Sequence, residues 1–188
     1  RLGFPFDLPD PTKCSTTSLP DCVNDPSYDV PANVAGDFGV GDFYIEMDIS
    51  GKDHPITDTI CAGRCPNPNY GALFIRSGRE NYPYEGPSAF IATNGDVLFR
   101  VRADEQLIIE KVLPDIANSA VTHHLEFSRR GSKLVAEIDG KKYEKTITKE
   151  IGAVAAELLK RAPLRFRGNY VISDYQPLIL NVTNISIN

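Results

Sequence analysis

The sequence predicts an all-β fold: a two-sheet antiparallel β-sandwich with one inserted surface helix. Three observations carry that reading. Short runs of period-two alternation recur along the chain, as in "DFYIEMDIS" (42–50), where Phe43, Ile45, Met47 and Ile49 take one side and Tyr44, Glu46 and Asp48 the other. Turn dipeptides separate those runs, Asn94-Gly95 and Asp139-Gly140 among them. One segment alone, "TKEIGAVAAELLKR" (148–161), changes to a helical period.

The elements follow in order. Residues 1–35 are proline-rich with few apolar repeats, so they read as an irregular arm, pinned by a disulfide loop and by Leu2, Phe4 and Phe6 packing on the domain. The sandwich domain is expected over 36–188. After the strand at 43–49, a Pro/Asn/Gly-rich loop covers 51–71, long for a compact domain and of a kind that often carries function. Strands are expected at 72–77, 88–93, 96–103 and 106–113, the middle two joined by the Asn94-Gly95 hairpin turn. In the helical segment Ile151, Val154, Ala155, Leu158 and Leu159 share a face; Thr148 is the expected N-cap and Pro163 ends the run. Strand character returns in "LRFRGNYVI" (164–172) and "PLILNVTNISIN" (177–188). In the last strand Leu178, Leu180 and Val182 have one parity, Ile185 and Ile187 the other. A bulge near Thr183 reconciles them and turns Asn181 and Asn184 outward.

A chain of 188 residues suits one domain with a sizeable core, and 41% hydrophobic with 24% charged residues is ordinary for a soluble globular protein. The net charge of −5 argues against a dedicated nucleic-acid binder. No run approaches the roughly 18 apolar residues of a membrane span. The chain begins at Arg1 and its one methionine is Met47, so a processed mature protein or an excised ectodomain is expected.

Cysteines form two close pairs, Cys14 with Cys22 and Cys61 with Cys65. Four cysteines allow three pairings, and local bridging closes two irregular loops most simply. Together with the sequons at Asn181 and Asn184, they point to an extracellular, cell-surface or secretory-lumenal protein. Zinc is the rival, but His54, Cys61 and Cys65 depart from the usual ligand spacing.

In "VTHHLEFSRRGSKLVAEIDGKKYEK" (121–145), His123, Leu125 and Phe127 share one face, and His124, Glu126 and Ser128 the other. After the Gly131-Ser132 turn, Leu134, Ala136 and Ile138 face inward, and Asp139-Gly140 makes a second tight turn. His123 is expected to be a buried core histidine bonded to backbone, and His124 a solvated one. Neither reads as a catalyst.

This stretch resembles the laminin G-like and concanavalin A-like jelly rolls, whose recurrent pattern is Trp-His-x-Val-x-Val-x-Arg, a small turn, then Leu-x-Leu-x-Val-Asp-Gly. His123 falls at the histidine, Leu125 and Phe127 at the apolar positions, Arg129 at the arginine and Asp139-Gly140 at the closing pair. "GALFIRSG" and "LILNVTNISIN" are similar to other strands of that superfamily, so the resemblance covers roughly 38–188. Thr122 stands where the pattern has tryptophan, and the protein contains none. The resemblance implies a jelly-roll sandwich and a non-catalytic recognition or adhesion role.

Carboxylate pairs suggest the enzyme alternative, a glycoside hydrolase or lyase using Glu46 and Asp48, which share a strand face. The glucanase pattern Glu-x-Asp-x-x-Glu fails because its last glutamate is Gly51 here, leaving the pair without its partner. Glu137 and Asp139 fail likewise at Lys142. No catalytic residue is therefore assigned. Candidate ligand-binding residues are the outward row Tyr44, Glu46 and Asp48, and Arg100 and Arg102 on the outer parity of "DVLFRVR". If both rows line a concave sheet they can hold a sugar by stacking and bidentate hydrogen bonds; otherwise they are solvated sheet faces. Basic residues gather at Arg129, Arg130, Lys133, Lys141, Lys142 and Lys145, and at Arg161, Arg165 and Arg167, as heparin-like patches or ordinary surface. Calcium is the one cofactor entertained, on Asp53, Asp58, Asn67 and Asn69 of the long loop.

The expected role is an extracellular module that binds glycan or another protein. A carbohydrate-active enzyme is the alternative, and a self-associating structural ectodomain a third reading, with an exposed apolar patch along Phe43–Ile49 or the helix.

Overall fold

The computed structural model describes residues 5–9, 28–51, 70–77, 85–92, 94–116, 120–167 and 180–188. Its strands are β1 (Tyr28–Val30), β2 (Phe43–Ser50), β3 (Tyr70–Ile75), β4 (Glu85–Ala92), β5 (Val97–Arg102), β6 (Glu105–Ile109), β7 (Thr122–Arg130), β8 (Lys133–Ile138), β9 (Lys141–Thr146), β10 (Leu164–Phe166) and β11 (Asn181–Ile187). The helices are α1 (Ala32–Ala35) and α2 (Ala153–Lys160). Two antiparallel sheets result: a six-stranded one in the order β1-β10-β3-β4-β5-β6, and a five-stranded one in the order β11-β2-β7-β8-β9. This is the predicted sandwich. Among the described residues no helix is long and apolar enough to cross a membrane.

Alternation builds the core. Phe43, Ile45, Met47 and Ile49 of β2, Leu125 and Phe127 of β7, and Leu134, Ala136 and Ile138 of β8 all bury against the other sheet. Phenylalanines fill the space in a chain without tryptophan: Phe127 meets Phe74 at 5.7 Å and Phe99 at 5.2 Å between ring centroids. Because Phe43–Ile49 lies in this core, it offers no self-association patch. The exposed large apolar side chains among the described residues are Tyr28, Val34, Ile108 and Val154, two of them on different helices.

Several elements differ from expectation. Residues 28–35, assigned to the irregular arm, instead form β1 and α1, because Val30 and Ala35 reach the core and Asp29 pairs with Arg165 of β10. Phe6 bridges Ile185 by reciprocal backbone hydrogen bonds and Leu8 is buried, so this part of the arm packs on the domain. Leu2, Phe4, the four cysteines and the calcium candidates Asp53, Asp58, Asn67 and Asn69 lie outside the described residues. Helix α2 starts at Ala153 after Gly152, with no side-chain cap. Thr148 is unavailable as a cap: its N–H and hydroxyl both donate to Glu105 Oε1, as does the Lys149 N–H. In β11 the register shifts between Thr183 and Ser186, and Asn184 takes φ 52°, so the bulge is where the parity change requires it.

The six-stranded sheet is covered on both faces. Ala72, Ile75, Phe90 and Leu98 form a second apolar cluster on its outer side, and Leu159 of α2 lies against Gly86. Arg76, fully buried, ties the layers together. Its Nη1 donates to the carbonyls of Gly36 and Phe38 at 2.8 Å, and its Nε to that of Ala162 at 3.1 Å. Gly86 must stay bare, since a Cβ there would lie 1.9 Å from the Arg76 carbonyl oxygen. Arg76→Leu strands those carbonyls without their donor. Urea unfolding is expected to show a loss of about 3 kcal/mol or more, with the far-UV spectrum of the folded state unchanged.

Candidate functional site

The five-stranded sheet keeps a polar outer face. Strand β2 presents Tyr44, Glu46 and Asp48; across the ladder, β7 sets Ser128, Glu126 and His124 directly opposite them. Strand β8 adds Glu137 opposite Glu126, and β9 adds Lys142 opposite Glu137. Tyr44, Glu126, Ser128, Arg130, Val135, Glu137 and Lys142 line a shallow depression of about 260 Å³.

Three carboxylates thus stand side by side on adjacent strands, an arrangement that costs stability when uncompensated. Two neighbours relieve it. The Tyr44 hydroxyl lies 2.6 Å from Glu46 Oε2 and 2.9 Å from Glu126 Oε2, and its one proton serves both in alternation. Burial, then these hydrogen bonds and charges, push its pKa far up, so the phenol stays protonated. His124 Nδ1 bonds Asp48 Oδ1 at 2.8 Å, and its Nε2 lies 3.4 Å from Glu126 Oε1. The Asp48 hydrogen bond, reinforced by the surrounding carboxylates, outweighs partial burial and raises His124 above the ordinary histidine range. Asp48 moves the other way: burial opposes, but hydrogen bonds from Asn184 and His124 win and lower it.

One ligand atom each of Glu46, His124 and Glu126 lies within 4.8 Å of the others, close enough for a single cation. His124 is already engaged by Asp48 through Nδ1, and its raised pKa favours the ring form that offers a cation no lone pair, so no metal is assigned to the set.

The sequence reading located Tyr44, Glu46 and Asp48 here, and the structure separates Arg100 and Arg102 from them. Both arginines lie on β5, in the opposite sheet. Arg100 is buried with its guanidinium 4.7 Å from the Phe90 ring centroid, and Arg102 pairs with Asp104 and donates to the Glu150 carbonyl. The basic patches are also partly consumed. Arg129 and Arg167 are buried, Arg129 pairing with Glu150, while Lys133 and Lys142 pair with Glu144. His124 is no free solvated residue, and Glu126 and Glu137 were passed over as site residues. Their outward parity was visible, but the β2–β7 pairing that brings Glu126 to Glu46 joins segments about eighty residues apart.

His123 is buried, as expected, but its partners are carboxylates rather than backbone. Nδ1 lies 2.6 Å from Asp139 Oδ2 and Nε2 2.8 Å from Asp115 Oδ1. The histidine and the closing Asp-Gly of the superfamily pattern therefore form one bonded unit. The two-sheet sandwich agrees with the solved structures the chain resembles. The fold is the laminin G/concanavalin A-like jelly roll.

Three of those structures set the scale of the likeness. Domains LG4-5 of the mouse laminin alpha1 chain superpose with a TM-score of 0.51 at 13% identity, over 86% of this chain and 37% of that one. The Ruminococcus gnavus IT-sialidase CBM40 bound to alpha2,3 sialyllactose gives 0.56 at 9% identity, covering 86% and 84%. The Trypanosoma rangeli sialidase in complex with sialic acid gives 0.53 at 10%, covering 79% of this chain but 20% of the sialidase. This jelly roll thus spans about a third of the laminin chain and a fifth of the sialidase. No family profile and no curated protein matches its sequence.

The like-charge row has a measurable signature. Glu126→Gln keeps an acceptor for Tyr44 and removes one charge, so it is expected to raise stability by roughly 0.2–1 kcal/mol. His124, with its raised folded pKa, contributes its compensating charge at low pH and loses it as pH rises through that value. The gain should accordingly be larger at about pH 9 than at about pH 6, as read by urea unfolding at the two values.

Proposed function

We propose that the protein is an extracellular, non-catalytic recognition module that binds glycan through the outer face of its five-stranded sheet. The observation that carries this reading is the continuous polar row of Tyr44, Glu46 and Asp48 with His124 and Glu126, half-exposed beside a depression that Tyr44, Glu126 and the buried Ser128 help to line. Such a face offers a ring edge and several fixed acceptors to sugar hydroxyls. Support from likeness is limited to the fold, in which the CBM40 structure holds alpha2,3 sialyllactose. Secretion, the two cysteine loops and glycosylation at Asn181 and Asn184 belong to the same proposal. In the fold Asn181 is half-buried and the Asn184 amide nitrogen is bonded to Asp48 at 2.7 Å.

The enzyme reading gains one observation. Glu126 supplies from the neighbouring strand the second carboxylate that Glu46 lacks on its own, with an oxygen of each within 4.8 Å of the other. Against it, the Tyr44 hydroxyl already occupies the gap between the two.

The test is retention of the full chain on a broad glycan panel, with calcium and with a chelator, scored together with new reducing or unsaturated ends. Tyr44→Ala and Glu46→Gln are each expected to weaken retention at least about tenfold, and Arg102→Ala, on the other sheet, to leave it unchanged. Loss of retention in chelator would add calcium to the proposal. Cleavage that disappears in Glu46→Gln would replace recognition by catalysis, and a panel silent on both counts would shift the reading to protein partners.

A further inference from the structure

A second constellation lies at the end of β7. His123 is 8% exposed and touches a carboxylate through each ring nitrogen. The two carboxylates are held very differently. Asp139 is fixed by the β8–β9 turn: its Oδ1 accepts the His124 N–H at 2.9 Å, and its own N–H donates to the His124 carbonyl at 2.9 Å. Asp115 belongs to the connection after β6; the two side chains are about equally exposed, and it is the backbone bonds of Asp139 that set them apart. That connection is anchored elsewhere by Lys111 N–H to Asp96 and Leu113 N–H to the Gly95 carbonyl.

Proton counting decides what the imidazole does. Only the imidazolium has an N–H at both nitrogens. A neutral ring donates to one aspartate and turns a lone pair toward the other. With Asp139 tied to the His124 backbone through both its N–H and its Oδ1, a neutral ring that keeps its Nδ1–H leaves Asp115 facing a lone pair. Among the described residues, the charged groups facing the ring are Asp115 from the connection and Asp139 from the turn; β2 presents the apolar Ile49 opposite it. Lys111, Lys141 and Glu110 line the adjoining groove. Burial alone would lower the pKa of His123, but the hydrogen bonds and charges of both aspartates outweigh it and raise it.

We propose that His123 is a pH-operated latch. As the imidazolium it clamps the 110–116 connection to the β8–β9 turn, and on losing its proton it releases Asp115 while keeping Asp139. The connection supplies Glu110, Lys111 and Val112 to one wall of a groove of about 810 Å³, and Ile138, Asp139, Lys141 and Tyr143 supply the other. Asp139 lines this groove and also holds His123, so the latch sits beside the groove and ties the connection that forms one wall to the turn that forms the other. Because the folded pKa is raised, the clamp is complete below the ordinary histidine range and is lost as pH rises through the folded value.

The experiment is the His123 titration by NMR in the full chain, with amide-exchange protection factors measured for 110–116 and for the β7–β8 ladder at each pH. Protection of 110–116 is expected to fall roughly tenfold across the His123 midpoint, the effect of one lost charge-assisted hydrogen bond, while the ladder holds. Asp115→Ala, a change at a half-exposed side chain, should lower the midpoint and leave 110–116 weakly protected even in acid. His123→Gln should abolish the pH dependence. Protection of 110–116 that stays flat through the measured midpoint would overturn the latch. So would loss of the ladder in parallel, or an Asp115→Ala midpoint equal to that of the parent.

Discussion

The register of β7 is the constraint on which the rest of the molecule depends. This strand is paired on both sides, to β2 and to β8, and every residue along it has a fixed face. A slip of one residue would bring Leu125 and Phe127 into water and drive His124 and Glu126 into the core. Each exposed apolar side chain would forfeit about 1.5–3 kcal/mol, and a buried unpaired carboxylate costs several more. Against a total stability of about 5–15 kcal/mol, the slipped pairing is not available. The turn at Asp139-Gly140 and the His123–Asp139 bond fix the end of the strand. In this chain the residues His123 and Asp139-Gly140, which read as local hairpin packing, act as a register device.

The same register assembles the polar face. Once β2 and β7 pair with Ile45 against Phe127, Glu46 has no choice but to stand beside Glu126. The fold does not need three carboxylates in a row, and the ladder would be more comfortable with one of them neutral. The chain instead holds Glu46 and Glu126 in place with Tyr44 and His124, and Asp48 beside them with His124 and Asn184. The result is an ordered set of acceptors on a rigid strand surface, so little conformational freedom remains to be lost when a ligand docks.

Legibility in the sequence followed the range of the interaction. Alternation, the Asn94-Gly95 and Asp139-Gly140 turns and the bulge at Thr183 are local, and each could be placed from neighbouring residues. Thr148 was misread as a helix cap because its partner Glu105 lies on a strand more than forty residues earlier. The outer face of β5 was misread for a related reason. Leu98 and Arg100 have the parity of a solvated face, and nothing in "DVLFRVR" announces that this sheet is covered on both sides. The clue lay in the neighbouring strands: "ALFI" and "AFIA" are unbroken apolar runs, the mark of strands buried on two faces. Half of the candidate site was visible in Tyr44, Glu46 and Asp48. The other half, His124 and Glu126, required knowing which strand lies next to β2.

That two-sided burial also decides which sheet can serve as a recognition surface. The six-stranded sheet spends its outer face on Ala72, Ile75, Phe90 and Leu98, and Arg100 lies over Phe90 rather than over solvent. Arg76, directly after β3, donates to carbonyls of the turn after α1 and of the segment after α2, so its charge secures the covering elements. A ligand approaching that side would have to displace packed structure. On the five-stranded sheet the outward groups are polar and part-exposed, and their hydrogen bonds run mainly to one another. Two sheets built from the same alternation thus reach opposite ends: one is sealed by its apolar outer residues, and the other is left open by its polar ones.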